Sequence, residues 1–393
     1  MNIGGLGYIG SHTSLELLKD GFNVIIVDNL SNSYEGTLEK IRLLASEYCH
    51  SEGRNMPQLI FHKADYRSSE MRNILQKYSY SEQSNGLNGS RANATSRISR
   101  ISGIIHFAAY KSVVESIRSP LSYYQNNVCG LVDLLALLQD FNITNFILSS
   151  SATVYGSKCL SGKPLSEEDL VHQDEPNTST TTTPGATGHQ SPYGRSKYFS
   201  EAILADVAHA DPSFWKIVAL RYFNPVGCHS SGLLGEDPRQ TPTNLFPVIT
   251  QTLLGSRPVV EMYGSDWETE DGTAIRDFIH VVDLAKGHVA ALRATLNRSI
   301  EPPFRAFNLG SGRGSSVREV IASVEEAASR TIPVRLAGRR SGDVGYCVAA
   351  TERANRELRW QTERSLQDSA RDGWNFICKS AGSGGRGRGL SSV

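Results

Sequence analysis

Tyr193 and Lys197 stand four residues apart in Tyr193-Gly194-Arg195-Ser196-Lys197, directly after Pro192. On a helix that begins near the proline, the two share one face. A phenol with an ordinary pKa near ~10 is a poor base at neutral pH. An ammonium one turn away favours the phenolate and makes it a better one. The spacing alone also fits any surface helix, so its context decides. That context is Ser149-Ser150-Ser151, which follows the apolar run 146–148. Residues at the carboxyl end of a parallel strand lie where such sheets bind ligands. Ser151 would there hold a substrate hydroxyl close to the Tyr193 oxygen. Ser149 and Ser150 read equally well as strand-end and turn residues.

A second constellation opens the chain. Gly4-Gly5-Leu6-Gly7-Tyr8-Ile9-Gly10 spaces glycines as G-x-x-G-x-x-G ahead of an amphipathic segment. Glycines there permit a tight turn and close approach of a pyrophosphate, and the following helix N-terminus offers N–H groups and a positive dipole end. Asp28 ends the second apolar run, close to the distance at which a carboxylate accepts hydrogen bonds from both adenosine ribose hydroxyls. A carboxylate repels a 2′-phosphate, so the expected cofactor is NAD rather than NADP. A turn cap is the alternative role for Asp28. Only Met1, Asn2 and Ile3 precede the first glycine, so the first strand is expected to be truncated, at a cost in stability and cofactor affinity.

The elements that must position these residues alternate. Continuous apolar runs at 24–27, 59–61, 104–107, 146–148 and 217–220 suit strands buried on both faces of a parallel sheet. Helical patterns at 9–20, 34–48, 68–77, 120–140 and 192–209 lie between them. Repeated βα units predict an α/β fold, a Rossmann-type doubly wound parallel sheet, with a smaller α/β substrate-binding domain after it. The expected division is 1–225 for the dinucleotide domain, 226–379 for the substrate domain, with an approximate boundary and elements free to interleave, and 380–393 for a disordered Gly/Arg tail. Residues 79–100 and 177–190 read as mobile insertions, because they hold few apolar groups to offset the entropy of ordering.

The 393 residues carry 40 basic and 40 acidic side chains, a balance that argues against nucleic-acid partners. No apolar run approaches the roughly 18–20 residues of a membrane helix, and the first ten residues lack a secretory signal pattern. Six cysteines with no C-x-x-C pair predict reduced thiols in a cytoplasmic protein and no metal site. The N-x-S/T sequons are then idle.

Taken together and in order, the segments 4–12, 28–30, 106–111, 126–128, 149–156, 191–197, 221–227 and 271–283 resemble the extended short-chain dehydrogenase/reductase family and, within it, the UDP-glucose 4-epimerases. The resemblance covers nearly everything except the two insertions and the tail. It implies that Gly4, Gly7, Tyr8, Ile9 and Gly10 line the pyrophosphate turn, with Asp28, Asn29, Asn32 and Ser33 near the adenosine ribose. Asp65 and Tyr66 would flank adenine. Phe107, Ala108, Ala109 and Lys111 would border the dinucleotide, with Asn126 nearby and Phe223 beside the nicotinamide. Ser151, Tyr193 and Lys197 would be catalytic, and Tyr193 and Lys197 would also touch the cofactor. Lys111, Ser151, Asn224, Asn244, Leu245, Tyr263, Arg276, Arg340, Asp343 and Cys347 would hold the UDP-sugar. Leu245 also begins an amphipathic segment and suits core packing.

The implied reaction takes the 4-hydroxyl proton on Tyr193 and the C4 hydride on tightly bound NAD, lets the 4-keto sugar turn, and returns the hydride to the opposite face. Sugar-nucleotide dehydratases of the same fold place an acidic pair where this chain has Ala152 and Thr153, which cannot protonate a leaving hydroxyl. Relatives with a bulky tyrosine at the position of Cys347 favour unacetylated sugars, so UDP-GlcNAc and UDP-GalNAc are expected as further substrates unless Tyr346 fills the same volume. The resemblance also implies a homodimer. Leu131, Leu134, Leu135 and Leu138 form an apolar stripe that suits that interface or the core. An NAD-binding regulator weakened by the short first strand is the other class of function.

Overall fold

The apolar runs become strands of a single parallel sheet, because helices cover them on both faces. The computed structural model describes residues 1–82, 96–172, 188–189, 191–239, 244–340 and 343–384. The sheet contains β1 (Asn2–Ile3), β2 (Val24–Asp28), β3 (Leu59–Lys63), β4 (Ile104–His106), β5 (Asn145–Ser151), β6 (Lys216–Tyr222) and β7 (Phe304–Leu309). Their spatial order is β3-β2-β1-β4-β5-β6-β7, and every pairing is parallel. The order reverses between β1 and β4. Connections leaving those two strands therefore diverge and open a crevice beyond their carboxyl ends.

Alternation along the strands feeds two cores. Ile26, Ile105, Ile147 and Val218 pack on one face of the sheet. Val27, Ile104, Phe146, Leu148 and Ile217 pack on the other. The helices α1 (Tyr8–Lys19), α2 (Gly36–Ser51), α3 (Ser69–Lys77), α4 (Val113–Arg118), α5 (Pro120–Tyr124), α6 (Gly130–Asp140) and α7 (Pro192–Ala210) cover this half. The helix expected over 120–140 is divided: a π-helical segment, Gln125–Cys129, separates α5 from α6 and carries Asn126 and Asn127. Such π segments recur where a side chain must be re-aimed toward a site. Leu131, Leu134, Leu135 and Leu138 are buried beneath α6. That stripe is core, not an exposed surface.

β1 has two residues, yet it occupies the middle of the sheet. Asn2 and Ile3 pair with Ile26 and Val27 on one side and with Ile105 and His106 on the other. Backbone bonds Gly4 N–Val27 O (2.7 Å) and Phe107 N–Ile3 O (2.8 Å) extend the ladders past the strand's end. The short strand thus leaves the sheet unbroken.

After residue 225 the chain forms α8 (Leu245–Leu253), α9 (Val281–Leu296), α10 (Val317–Ala328) and α11 (Leu366–Gly384). Ile249, Val260, Met262, Val320, Ile321 and Val324 make a separate core there. Elements interleave across residue 225. The sheet's last strand, β7, comes from residues 304–309 and pairs with β6 from Phe304↔Ile217 to Leu309↔Tyr222. Leu284, Ala291 and Leu292 of α9 share a core with Leu15 and Leu18 of α1. The chain returns to the first body because the sheet edge at β6 would otherwise stay unpaired.

Two expectations about mobile segments need correction. The ends of the 79–100 insertion pair as antiparallel strands, Ser79–Glu82 with Ser96–Ser99, in the register Ser79↔Ser99. The ladder satisfies their backbone groups and sets Tyr80 opposite Ile98. Residues 83–95 lie outside the described residues. Helix α11 runs to Gly384, beyond the expected start of the tail at 380, while 385–393 lie outside. Of the 177–190 insertion only Gly188 and His189 are described, and His189 Nε2 lies 3.1 Å from Val154 O.

Candidate active site

The glycine turn sits at the mouth of the crevice. Gly4 has φ +79°, and a Cβ there would stand 2.8 Å from Ala108 N. A Cβ on Gly10 would stand 2.4 Å from Gly4 O, so α1 and the turn touch through backbone alone. Gly7 caps α1 without a side chain, which leaves the first-turn N–H groups directed at the crevice. This backbone cradle fits a dinucleotide pyrophosphate. Tyr8 and Ile9 open α1, and the Tyr8 hydroxyl donates to Gly227 O at 2.6 Å.

Asp28 ends β2 and is buried. Its carboxylate accepts from Leu6 N (3.0 Å), Leu30 N (2.9 Å) and Ser33 Oγ (2.8 Å). The turn-cap role is therefore real. A carboxylate has about four acceptor sites, so one remains for a ribose hydroxyl. Asn29 Nδ2 donates to Asp65 (3.3 Å). Asp65 itself is gripped by Arg67 through Nε (2.9 Å) and Nη2 (2.6 Å), which holds it down to about 2. Asn32 Oδ1 and Ser33 O accept from Arg239 N and Nε (3.0 and 2.8 Å), tethering the chain after β6 to this rim.

Tyr66, expected to flank adenine, turns its side chain inward. Its hydroxyl donates to Asn126 O at 2.5 Å and its ring packs edge-on to His106, 4.9 Å between centroids. The side chain belongs to the core, drawn in because the phenol finds a buried acceptor. Phe107 N and Ala108 N both donate to Ile3 O (2.8 and 3.1 Å), and this fixes the segment through Ala109 opposite the glycine turn. Lys111 pairs with Glu236 at 3.1 Å.

α7 starts at Pro192 because Ser191 caps it, accepting from Gly194 N at 3.2 Å. Tyr193 and Lys197 then lie on the same face. The Lys197 ammonium donates to Ser149 O, and Ser151 Oγ accepts from Thr153 Oγ1 (3.0 Å) while hydrogen-bonding Tyr193. Burial pushes the Lys197 ammonium down to about 8, against the opposing pull of Glu201. The expected acidity of Tyr193 depends on Lys197 and an oxidised nicotinamide together. Burial pushes the phenol up, and the Ser151 hydrogen bond is what opposes it. In the protein alone the dry interior outweighs the hydrogen bond, and an oxidised nicotinamide beside the ring would act with the Lys197 charge in the opposite direction.

Phe223, just beyond β6, is buried with Tyr155 and Ala349. Asn224–Val226 forms a short strand parallel to Ile275–His280, and Asn224 Nδ2 donates to Asp277 O (3.0 Å). Across the same ladder Arg276 stands opposite Cys347. Arg276 pairs with Asp343 and donates to Ile275 O (2.9 Å). The Arg340 guanidinium lies 3.7 Å from the Tyr263 ring centroid. Asn244 is the N-cap of α8, and Leu245 packs on the second core. Core packing therefore describes Leu245 as the structure places it. A ladder thus ties Asn224, Arg276 and Cys347 to the end of β6, whereas Asn244, Leu245, Tyr263 and Arg340 sit on the smaller body.

The sequence profile of the NAD dependent epimerase/dehydratase family matches residues 3–310. The chain belongs to that family. It is 41% identical over 373 residues to UDP-glucose 4-epimerase 2 of Arabidopsis thaliana, covering 95% of this chain and 93% of the relative. It is likewise 41% identical over 375 residues to the UDP-glucose 4-epimerase of Drosophila melanogaster, covering 95% and 94%. The crystal structure of the Bifidobacterium longum UDP-glucose 4-epimerase, in complex with NAD+ and UDP, superposes with a TM-score of 0.77 at 39% identity over 97% of this chain and 98% of that one. As a member of the NAD dependent epimerase/dehydratase family, the chain is an enzyme, not a bare regulator.

Three residues important to this epimerase-family site escaped the sequence. Asn127, in the π segment, accepts from Tyr110 N (2.9 Å) and donates to Tyr110 O and Ser196 Oγ (both 3.0 Å), locking the loop after β4 to α7. Its signal is a pair of asparagines inside an otherwise apolar helical pattern. Glu201 and Arg221 form a buried ion pair behind the serine run. Their signal is charge on faces that the apolar pattern assigns to the interior. Among the described residues no helix is long and apolar enough to cross a membrane.

Proposed function

We propose that this protein interconverts UDP-glucose and UDP-galactose by reversible oxidation at sugar C4, with NAD held permanently. The observation that carries this is the convergence of Ser151, Tyr193 and Lys197 at the carboxyl end of β5, beside the glycine turn at the strand-order reversal. Bound NAD would supply a hydride acceptor and a positive ring that makes the neighbouring phenol more acidic. Tyr193 takes the 4-hydroxyl proton and later gives it back. Ser151 holds that hydroxyl in line, and Lys197 keeps a positive charge beside the phenol oxygen. Arg276 and Arg340 suit the diphosphate, which a planar guanidinium grips bidentately. Tyr263 offers a face for uracil, with Asn224, Asn244, Leu245 and Asp343 completing the UDP side. Binding energy from UDP, remote from C4, would keep the keto sugar captive while it turns. The test is conversion of UDP-galactose to UDP-glucose with no cofactor added, and NAD in the supernatant after denaturation. Turnover without NAD, or NAD without turnover, would overturn the proposal.

N-acetylated UDP-sugars are proposed as further substrates. Cys347 is small, and alternation along Tyr346–Cys347 sends Tyr346 to the other face of the strand. Cys347→Tyr is expected to cut turnover of UDP-GalNAc at least about tenfold more than that of UDP-galactose. Equal effects on the two would remove the proposal.

A homodimer in the cytoplasm is part of the same proposal. Val114, Ile117, Leu121 and Phe199 are 51%, 59%, 80% and 41% exposed on the adjoining helices α4, α5 and α7, a face that a second copy would cover. The six cysteines are free thiols, including Cys159 and Cys347, whose side chains touch without a disulfide, as suits a reducing compartment. Sedimentation should read twice the 43.0 kDa chain mass. A monomer would contradict the dimer.

A further inference from the structure

Helix α7 stacks Tyr193, Lys197 and Glu201 at spacings of four, and three consecutive serines at the end of β5 answer them one for one. Ser151 Oγ meets Tyr193, Ser149 O accepts from Lys197 Nζ, and Ser150 Oγ donates to Glu201 Oε1. Glu201 is fully buried. Arg221, also fully buried, donates from Nε to both of its oxygens (3.2 and 3.1 Å) and from Nη2 to Oε2 (2.8 Å). His172 Nε2 lies 3.0 Å from Oε2. Arg221 spends its remaining donors on Tyr155 Oη (3.1 Å) and Leu170 O (3.0 Å). A buried ion pair seldom stabilises a fold more than apolar packing of the same volume would. Stability alone therefore gives little reason for this pair one helical turn from Lys197.

We infer that Glu201 is a positioning residue for the reaction: its clamped negative charge keeps the Lys197 ammonium charged in a dry interior, and its bond to Ser150 ties the strand end bearing Ser151 to the helix bearing Tyr193. The inference rests on the assignment of Tyr193 and Lys197 made under Proposed function. Glu201 stays ionised, because the Arg221 charge and the His172 hydrogen bond outweigh its burial and hold it down to about 2. The other titratable groups that face Lys197 supply no negative charge near neutral pH. His106 of β4 is held neutral by burial, which pushes it down to about 3. Tyr193 on α7 and Tyr222 of β6 are phenols that burial pushes up. Glu201 is thus the charge that opposes the fall of Lys197 toward about 8. Removing it lowers the lysine further, so the ammonium is lost at a lower pH.

Glu201→Gln tests this, but it leaves Arg221 buried without a counter-charge. The double variant Glu201→Gln/Arg221→Met, which removes both charges, is therefore made beside it. In every folded variant lacking the carboxylate, the alkaline limb of kcat for UDP-galactose is expected to move toward acid by about one pH unit, close to a tenfold loss on that limb. KM is expected to stay within about twofold. The Lys197 side-chain titration, followed by NMR in the holoenzyme, should move with the limb, and Glu201→Asp should restore both. An unshifted limb and lysine titration, or a loss of kcat equal at every pH, overturns the inference. Tyr193→Phe run in parallel separates the two failures. If it stays active, the catalytic assignment has failed; if it is inactive while the Glu201 variants keep the wild-type profile, only the positioning role has.

Discussion

Tyr193→Phe is expected to lower kcat for UDP-galactose by about 10³-fold, the scale of losing a positioned general acid–base group. KM and retained NAD should be close to wild type. The ring is buried, and Phe preserves its packing while removing only the hydroxyl that hydrogen-bonds Ser151. The melting temperature should accordingly move little. The residual rate should also lose the pH dependence of the phenol. Steady-state rates across pH 6–9, with NAD quantified after denaturation, check all of this. A variant within about tenfold of wild type would take the proton transfer away from Tyr193.

Gly10→Ala is expected to have the second large effect. The added Cβ would lie 2.4 Å from Gly4 O and 2.9 Å from Gly5 Cα, both backbone atoms of the turn that must cradle the pyrophosphate. Neither can move without shifting Gly4, whose φ of +79° and close approach to Ala108 N already constrain it. The strain should cost about 1–3 kcal/mol of stability. Because it falls on the cofactor turn, NAD retained through purification should drop more than tenfold, and activity should return in part when NAD is added in excess. Full retention of NAD by Gly10→Ala would mean that the dinucleotide lies elsewhere.

Much of this architecture was legible from local pattern. The strands β2 to β6 were each announced by a continuous apolar run, because burial on both faces leaves no room for polar alternation. The glycine turn and the Tyr193–Lys197 spacing could be read because each depends on residues only a few positions apart. What escaped depends on partners far along the chain. β7 could not be assigned to the sheet, because its place is fixed by pairing with β6 some 80 residues earlier. The paired ends of the 79–100 insertion are mostly polar, and the one apolar pair across their ladder, Tyr80 with Ile98, is too short a signal to mark a strand. Tyr66 was expected at a ligand surface, but the Asn126 carbonyl presented by the π segment draws its hydroxyl inward. Asp28 was offered as a ribose ligand or a turn cap, and the structure shows that the capping bonds are made. Glu201 looked like an ordinary helix residue. Only the fold brings Arg221, His172 and Ser150 around it.

The central claim is that the hydrogen at sugar C4 leaves and returns without passing to water, because it travels as hydride and not as a proton taken by a side chain. UDP-galactose carrying deuterium at C4, incubated with the protein to equilibrium in ordinary water, tests it most directly by mass spectrometry and proton NMR of the UDP-glucose formed. Deuterium retained in full at C4 of the product is the expected result. Its replacement by solvent hydrogen, at a rate matching epimerisation, would show direct deprotonation at C4 and contradict the mechanism.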